Sequence, residues 1–227
     1  MNSHRKIMQE EWKDNTHRYT DPIGMTGRRP DQKEFSATVE DVLSKFDYSG
    51  SPNDRILDVG CNNGYLLSRL NTNAKHLVGI DFCRPPLLAG KAVFNAIDFV
   101  QGEVSSLPFK DNSFERVLCY SVFHYLPSQR HAREAATELF RVLAPKGILL
   151  IGDLLAEEYK HRIPKEDLER WDDPERPFMH RVSNWLFVSL KNLQHHLLTL
   201  GAETVEIHGQ KQDARCSGHR FDLIVKK

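Results

Sequence analysis

Much that would mark a specialised protein is missing from this sequence. Its four cysteines, Cys61, Cys83, Cys119 and Cys216, include no C-x-x-C pair. That argues against a disulfide framework or a zinc site and makes a reducing compartment the expected home. Charge of one sign is missing too: lysine plus arginine and aspartate plus glutamate number 31 each, for a net charge of zero. Nothing electrostatic therefore points to nucleic acid or to an anionic membrane as partner. The opening MNSHRKIMQEEWKDN has no apolar core of the kind a signal peptide needs. The most apolar stretch, 148–156, is short and interrupted by Asp153, so no membrane span is expected. Internal repeats and low-complexity tracts are absent as well. What these absences leave is a cytoplasmic globular protein with no membrane partner; its oligomeric state is not legible in the sequence.

What is present suits one α/β domain with a modest cap: 227 residues, 40% hydrophobic and 27% charged. Residues 1 to about 30 are polar and predict a loosely structured arm with a short helix near 7–12. From residue 31, Phe35, Val39, Val42, Leu43 and Phe46 recur at helical spacing, and the cluster Ser49-Gly50-Ser51-Pro52 stops that helix. Short apolar runs at 55–59, 76–80, 97–100, 116–120 and 148–151 then alternate with helical patterns at 65–70, 86–94 and 129–143. Strands that are apolar throughout, each followed by a helix, imply a parallel sheet covered on both faces. After a charged, proline-containing stretch at 156–182 come a helix at 185–200 and strands at 204–207 and 221–225. The expected division is an arm and capping helix over 1–52, then a cofactor-binding domain over 53–227 with a substrate-binding insertion at about 156–182.

The chemistry concentrates at the ends of the first four strands. Ile56-Leu57-Asp58-Val59-Gly60-Cys61-Asn62-Asn63-Gly64-Tyr65 sets a tight turn of small residues between a strand and a helix. Glycine there allows positive φ and close approach of backbone to ligand. In Val78-Gly79-Ile80-Asp81-Phe82, the acid ending the second strand can accept from both hydroxyls of a ribose, or cap the next helix. In Gly102-Glu103-Val104-Ser105-Ser106-Leu107-Pro108-Phe109, Glu103 can accept from an exocyclic adenine amine. In Phe114-Glu115-Arg116-Val117-Leu118-Cys119-Tyr120-Ser121-Val122-Phe123-His124-Tyr125-Leu126, Tyr120 and Ser121 emerge at the top of the fourth strand, with His124 one turn on.

The succession ILDVGCNNG, VGID, GEVSSLPF, FERVLCYSVFHYL and RVLAPKGILLI resembles class I S-adenosylmethionine (SAM)-dependent methyltransferases of the small-molecule branch, from about residue 55 to 151. The resemblance implies a Rossmann-like seven-stranded, mostly parallel sheet with helices on both faces and an antiparallel last strand. It implies SAM as cofactor, with Asp58, Gly60 and Gly64 shaping the loop at the methionine side. Asp81, followed by Phe82, would hold the ribose, Glu103 and Val104 the adenine, and Tyr120 the cofactor through its backbone. Asn62 stands where the family usually has glycine; asparagine is the non-glycine residue that best tolerates left-handed backbone, so the turn is expected to survive.

The implied function is methyl transfer to a small-molecule acceptor, most simply at a hydroxyl oxygen of a sugar or another biosynthetic intermediate. A hydroxyl needs a base, for which His124 is the first candidate and His180, in Pro177-Phe178-Met179-His180-Arg181, the second. An amine acceptor would need neither, and a SAM-binding partner subunit without catalysis is a third reading, kept open by Asn62. Trp12, Tyr19 and Arg28-Arg29 could close over the site. No metal is expected, because Asp153 lacks acidic companions after strand four.

Overall fold

The strands owe their continuous apolar character to burial on both sides. In the protein, seen as a computed structural model that describes residues 3–26, 32–46, 51, 53–70, 76–175, 177–210 and 219–227, seven strands form one sheet. They are β1 (Arg55–Val59), β2 (His76–Asp81), β3 (Ile97–Gln101), β4 (Phe114–Tyr120), β5 (Leu143–Leu155), β6 (Thr204–Gly209) and β7 (Arg220–Lys226). Their order is β3-β2-β1-β4-β5-β7-β6. The first five run parallel, and β7 is antiparallel to both of its neighbours, as the resemblance implied.

Successive residues of a strand point to opposite faces, and the two faces build separate cores. Leu57, Val59, Val117, Cys119, Leu149, Ile151, Leu223 and Val225 join helices α6 (Gln129–Val142) and α8 (Leu190–Thr199) on one side. Ile56, Leu118, Tyr120, Leu150 and Ile224 join α3 (Gln32–Lys45) and α4 (Tyr65–Arg69) on the other. Within α6, the buried Ala132, Ala135, Ala136, Leu139 and Phe140 fall at helical spacing. A fully buried side chain such as Leu139 contributes roughly 1.5–3 kcal/mol of burial free energy. Helix α5 (Arg84–Val93) follows β2. No helix among the described residues is long and apolar enough to cross a membrane.

Three expectations needed correction. The arm is not loose over residues 3–18, which form helix α1 (Ser3–Arg18), followed by the single turn α2 (Pro22–Met25). Helix α1 draws its order from tertiary contacts: Met8 and Trp12 are buried with Cys83 and Met179. Asn15 donates to the carbonyls of Gly24 and Met25 at 3.1 and 2.9 Å. The helix expected from residue 185 begins only at Leu190, where Ser189 caps it and Glu158 accepts from the Leu190 and Lys191 amides at 3.2 and 3.1 Å. Residues just before it pair with the sheet instead, through Val188 N–H to the Leu155 carbonyl at 2.8 Å. Strand β5 is also much longer than 148–151. Arg28, Arg29 and most of the Ser49–Pro52 cluster lie outside the described residues.

Candidate active site

The carboxyl ends of the parallel strands and the inner face of α1 enclose a cavity of about 1200 Å³. Its first end is built from the β1–α4 turn. Gly60, Asn62 and Gly64 all hold positive φ, at 77°, 52° and 73°. A Cβ at Gly60 would lie 2.2 Å from Val122 Cγ2, so only glycine fits there. Asn62 keeps its left-handed geometry by two bonds: its amide donates to Asp81 Oδ2 at 2.9 Å, and its side-chain oxygen accepts from the Asn63 amide at 2.8 Å. Asp81 Oδ1 accepts from the Cys83 amide at 2.8 Å. The carboxylate thus braces two loops at once.

Both acids at this end are buried, Asp58 at 2% and Asp81 at 8% exposure. Loss of hydration, then the neighbouring Asp81 charge, pushes Asp58 up to about 7. Burial likewise raises Asp81, to about 6, although the Cys83 and Asn62 amides pull it back and Glu103 pushes it further up. Asp58 Oδ2 is buried without a hydrogen-bond partner among the described residues, an arrangement that calls for a donor. Glu103 forms an ion pair with Arg5 of α1.

The second end is assembled from side chains of distant segments. Ser121 and Asp153, just past β4 and inside β5, both hold positive φ, 60° and 62°, at a cost of about 1–2 kcal/mol each. The Ser121 hydroxyl donates to Asp153 Oδ2. Arg220, 6% exposed, donates to the Asp153 carbonyl at 3.0 Å and sits 3.5 Å from its carboxylate. It also reaches His124 Nδ1 at 3.4 Å. Asp222 fixes the bend from below, accepting from the Asp153 amide at 2.8 Å while pairing with Lys45 at 2.5 Å. His124 is buried in the turn Phe123–Tyr125, packed against Tyr125 and Trp185 with ring centroids 4.0 and 5.5 Å away. His180 lines the same cavity from the turn Phe178–His180. That turn is held against α1 by Glu11, which accepts from the Phe178 and Met179 amides at 2.6 and 2.7 Å.

Residues 57–151 match the family model described as a methyltransferase domain. Over these residues the chain carries a methyltransferase domain similar to those of class I SAM-dependent methyltransferases. It is 30% identical over 117 residues to a probable tRNA methyltransferase 9B of Mus musculus, covering 52% of this chain and 25% of that protein. It is 28% identical over 147 residues to a demethylmenaquinone methyltransferase of Renibacterium salmoninarum, covering 56% of this chain and 60% of that one. The chain therefore spans between a quarter and three fifths of the length of these curated relatives. Among solved structures, the phosphoethanolamine N-methyltransferase 1 of Haemonchus contortus, in complex with phosphoethanolamine and S-adenosylhomocysteine, shares its fold. The TM-score is 0.69 at 16% identity, over 100% of this chain and 50% of that one.

The residues lining this cavity fit SAM. Asp58, whose Oδ2 has no hydrogen-bond partner among the described residues, and Gly60, where a Cβ would strike Val122, both line the cavity. Asn62, Asp81, Phe82, Glu103, Val104 and Tyr120 line it as well. Gly64 does not: it caps α4 and packs toward Phe99, 2.7 Å from where its Cβ would be. The Tyr120 side chain is also engaged elsewhere, its hydroxyl accepting from Gln210 at 2.8 Å. Sequence reasoning placed Ser121 at the top of the fourth strand, but missed Asp153 as a site residue, and Trp171, Trp185 and Arg220 altogether. No local motif marks them, because tertiary packing alone brings them together.

Proposed function

We propose that this protein transfers the SAM methyl group to a small-molecule acceptor, at a hydroxyl oxygen. One observation supports this above the rest: a single cavity joins the cofactor loop to an end lined by His124, His180, Asp153 and Arg220. Its volume of about 1200 Å³ exceeds the usual pocket for one ligand, roughly 300–1,000 Å³, leaving room for cofactor and acceptor together. Helix α1 roofs it with Met8 and Trp12, which suits a small acceptor better than a folded nucleic acid. The demethylmenaquinone methyltransferase among its relatives is in keeping with such an acceptor.

When bound, SAM supplies a methyl group that is already a good electrophile. The protein's own residues then have three tasks: to hold the cofactor, to aim the acceptor and to take its proton. Asp58, Asp81, Glu103, Val104 and the Gly60–Asn62 backbone serve the first, with Phe82 and Tyr120 as walls. His124 and His180 serve the others. A guanidinium only donates, so the contact with Arg220 makes His124 Nδ1 an acceptor, and the neutral ring then carries its proton on Nε2. His124 accordingly donates to the acceptor hydroxyl and orients it, while His180 receives the proton.

Calorimetric titration of SAM and S-adenosylhomocysteine into wild type and Asp81→Ala tests the cofactor half. Micromolar binding that the variant largely loses is expected; no binding to folded wild type defeats the reading. Labelled methyl transfer from SAM to a panel of small hydroxyl compounds tests the rest. Tight binding with no transfer to any acceptor would instead identify a subunit without catalysis.

A further inference from the structure

The sequence contains three tryptophans. All three, Trp12, Trp171 and Trp185, line the one large cavity, although they come from α1, from helix α7 (Lys165–Trp171) and from the loop before α8. They stand in ring-to-ring contact at the acceptor end. Trp171 and Trp185 have centroids 6.4 Å apart, and Trp12 meets the edge of Tyr125 at 5.9 Å. Rings of this size offer large, rigid apolar area at little entropic cost. Chance placement of every indole in one cavity is a poor explanation for a chain whose two sheet cores contain no tryptophan.

The charges at this end cancel. Arg220 is matched by Asp153 across 3.5 Å, and Arg170 at the rim by Asp167 across 2.6 Å. A charged group brought among these rings would lose its hydration without finding an uncommitted counter-ion in the Arg220–Asp153 and Arg170–Asp167 pairs there, a costly exchange. A neutral hydroxyl is different. It can accept from a ring N–H of His124 and donate to the imidazole of His180, which lines the same cavity, with no change in the charge balance. The cation of Arg220, 5.3 Å from the Trp185 ring centre, stiffens that wall.

Building on the function proposed above, we propose that the acceptor is a neutral planar aromatic alcohol, a phenol or quinol. Its ring packs against Trp12, Tyr125, Trp171 and Trp185, and its hydroxyl lies at the Ser121–Asp153–Arg220–His124 cluster. Transfer to it forms an O–CH₃ bond as the methyl–sulfur bond of SAM breaks; the phenolic proton passes to His180, and the products are an aryl methyl ether and S-adenosylhomocysteine.

The tryptophans themselves report the test. Wild type is first saturated with S-adenosylhomocysteine, with binding verified by calorimetry, and tryptophan emission is then followed on titration with 2-naphthol, hydroquinone, methyl glucoside and phosphoethanolamine. Saturable quenching by the two aromatic alcohols, and by neither of the others, is expected. Trp171→Leu, at the partly exposed rim, should weaken 2-naphthol binding by about tenfold with S-adenosylhomocysteine binding unchanged. The ether 2-methoxynaphthalene should bind more weakly than 2-naphthol. Saturation by phosphoethanolamine or methyl glucoside in place of the aromatics overturns the inference, as does intact S-adenosylhomocysteine binding with no aromatic response. Failure of S-adenosylhomocysteine itself to bind falls on the proposed function instead.

Discussion

The two ends of the cavity are made from different materials. The cofactor end is largely backbone, a turn in which three residues within five positions hold positive φ and one buried acid, Asp81, braces the loops around it. The acceptor end is largely side chain, gathered from α1, the β4 edge, β5, α7, the 178–185 loop and β7. A backbone site tolerates few changes, because each substitution alters the path of the chain. A side-chain site can be altered one group at a time, at a cost set by the partner left behind. On the proposed function, the difference teaches that the rigid part of the fold holds the cofactor and the separable part meets the acceptor.

If the ends are independent, the variant with the largest effect on stability should leave cofactor binding alone. Arg220→Met removes the cation facing buried Asp153, and should lower unfolding free energy by about 3 kcal/mol, seen in urea titration. S-adenosylhomocysteine affinity, measured on the same sample by calorimetry, should stay within about threefold; a parallel loss would show the ends to be coupled. Next in size, Asp81→Ala should weaken S-adenosylhomocysteine binding by about 100-fold, as charged hydrogen bonds to ligand and loop disappear. Far-ultraviolet dichroism should show the sheet intact.

The raised acids Asp58 and Asp81 predict a pH dependence at the cofactor end. Asp58 and Asp81, at about 7 and about 6 in the folded protein, bind protons that the unfolded chain releases near pH 4. Between those values the native state holds more protons, so the contribution of these groups to stability falls as pH rises from about 4 to 7. Ligand groups that donate hydrogen bonds need the ionised acids, so S-adenosylhomocysteine should bind roughly tenfold tighter at pH 8 than at pH 5.5. Thermal denaturation with and without it, across that range, should show the ligand-induced rise in Tm growing with pH. A flat profile would mean that neither acid meets the ligand. The smallest effect is reserved for Asn62→Gly. Relief of left-handed strain is offset by the lost bond from the Asn63 amide, and affinity should change by no more than about threefold.

How much of this was legible follows the same division. The β1–α4 turn, Asp81 and Glu103 sit in contiguous segments whose spacing carries the chemistry, and apolar runs followed by helical patterns were enough to anticipate the sheet. Helix α1 was underestimated because its side chains are polar overall; Met8 and Trp12 order it through contacts with residues more than 70 positions away. Helix α8 was started too early because 185–189 has helical periodicity, yet Val188 forms a bridge with Ala156, just past the end of β5. Ser121 was legible as a residue at the top of the fourth strand, but its bond to Asp153 was not, because the two meet only through the bend at Asp153. Trp185 reads as the start of a helix and Arg220 as the residue before a strand until the fold brings them to His124.

Strand β7 is antiparallel to β5, and this has a consequence for how such a protein can diversify. A parallel strand delivers chemistry to the carboxyl edge only at its last residue or in the loop beyond it, where lengthening or shortening is the usual route to novelty. An antiparallel strand arrives at the same edge with its beginning. Arg220 is therefore a site residue that is also a ladder residue, paired to Leu155 across β5, with Asp222 two places on along the same face. A single exchange at position 220 can rewrite the polarity facing an acceptor while the backbone beneath it stays hydrogen-bonded in register. New specificity becomes reachable by point mutation, with no insertion, no deletion and no redesign of a loop.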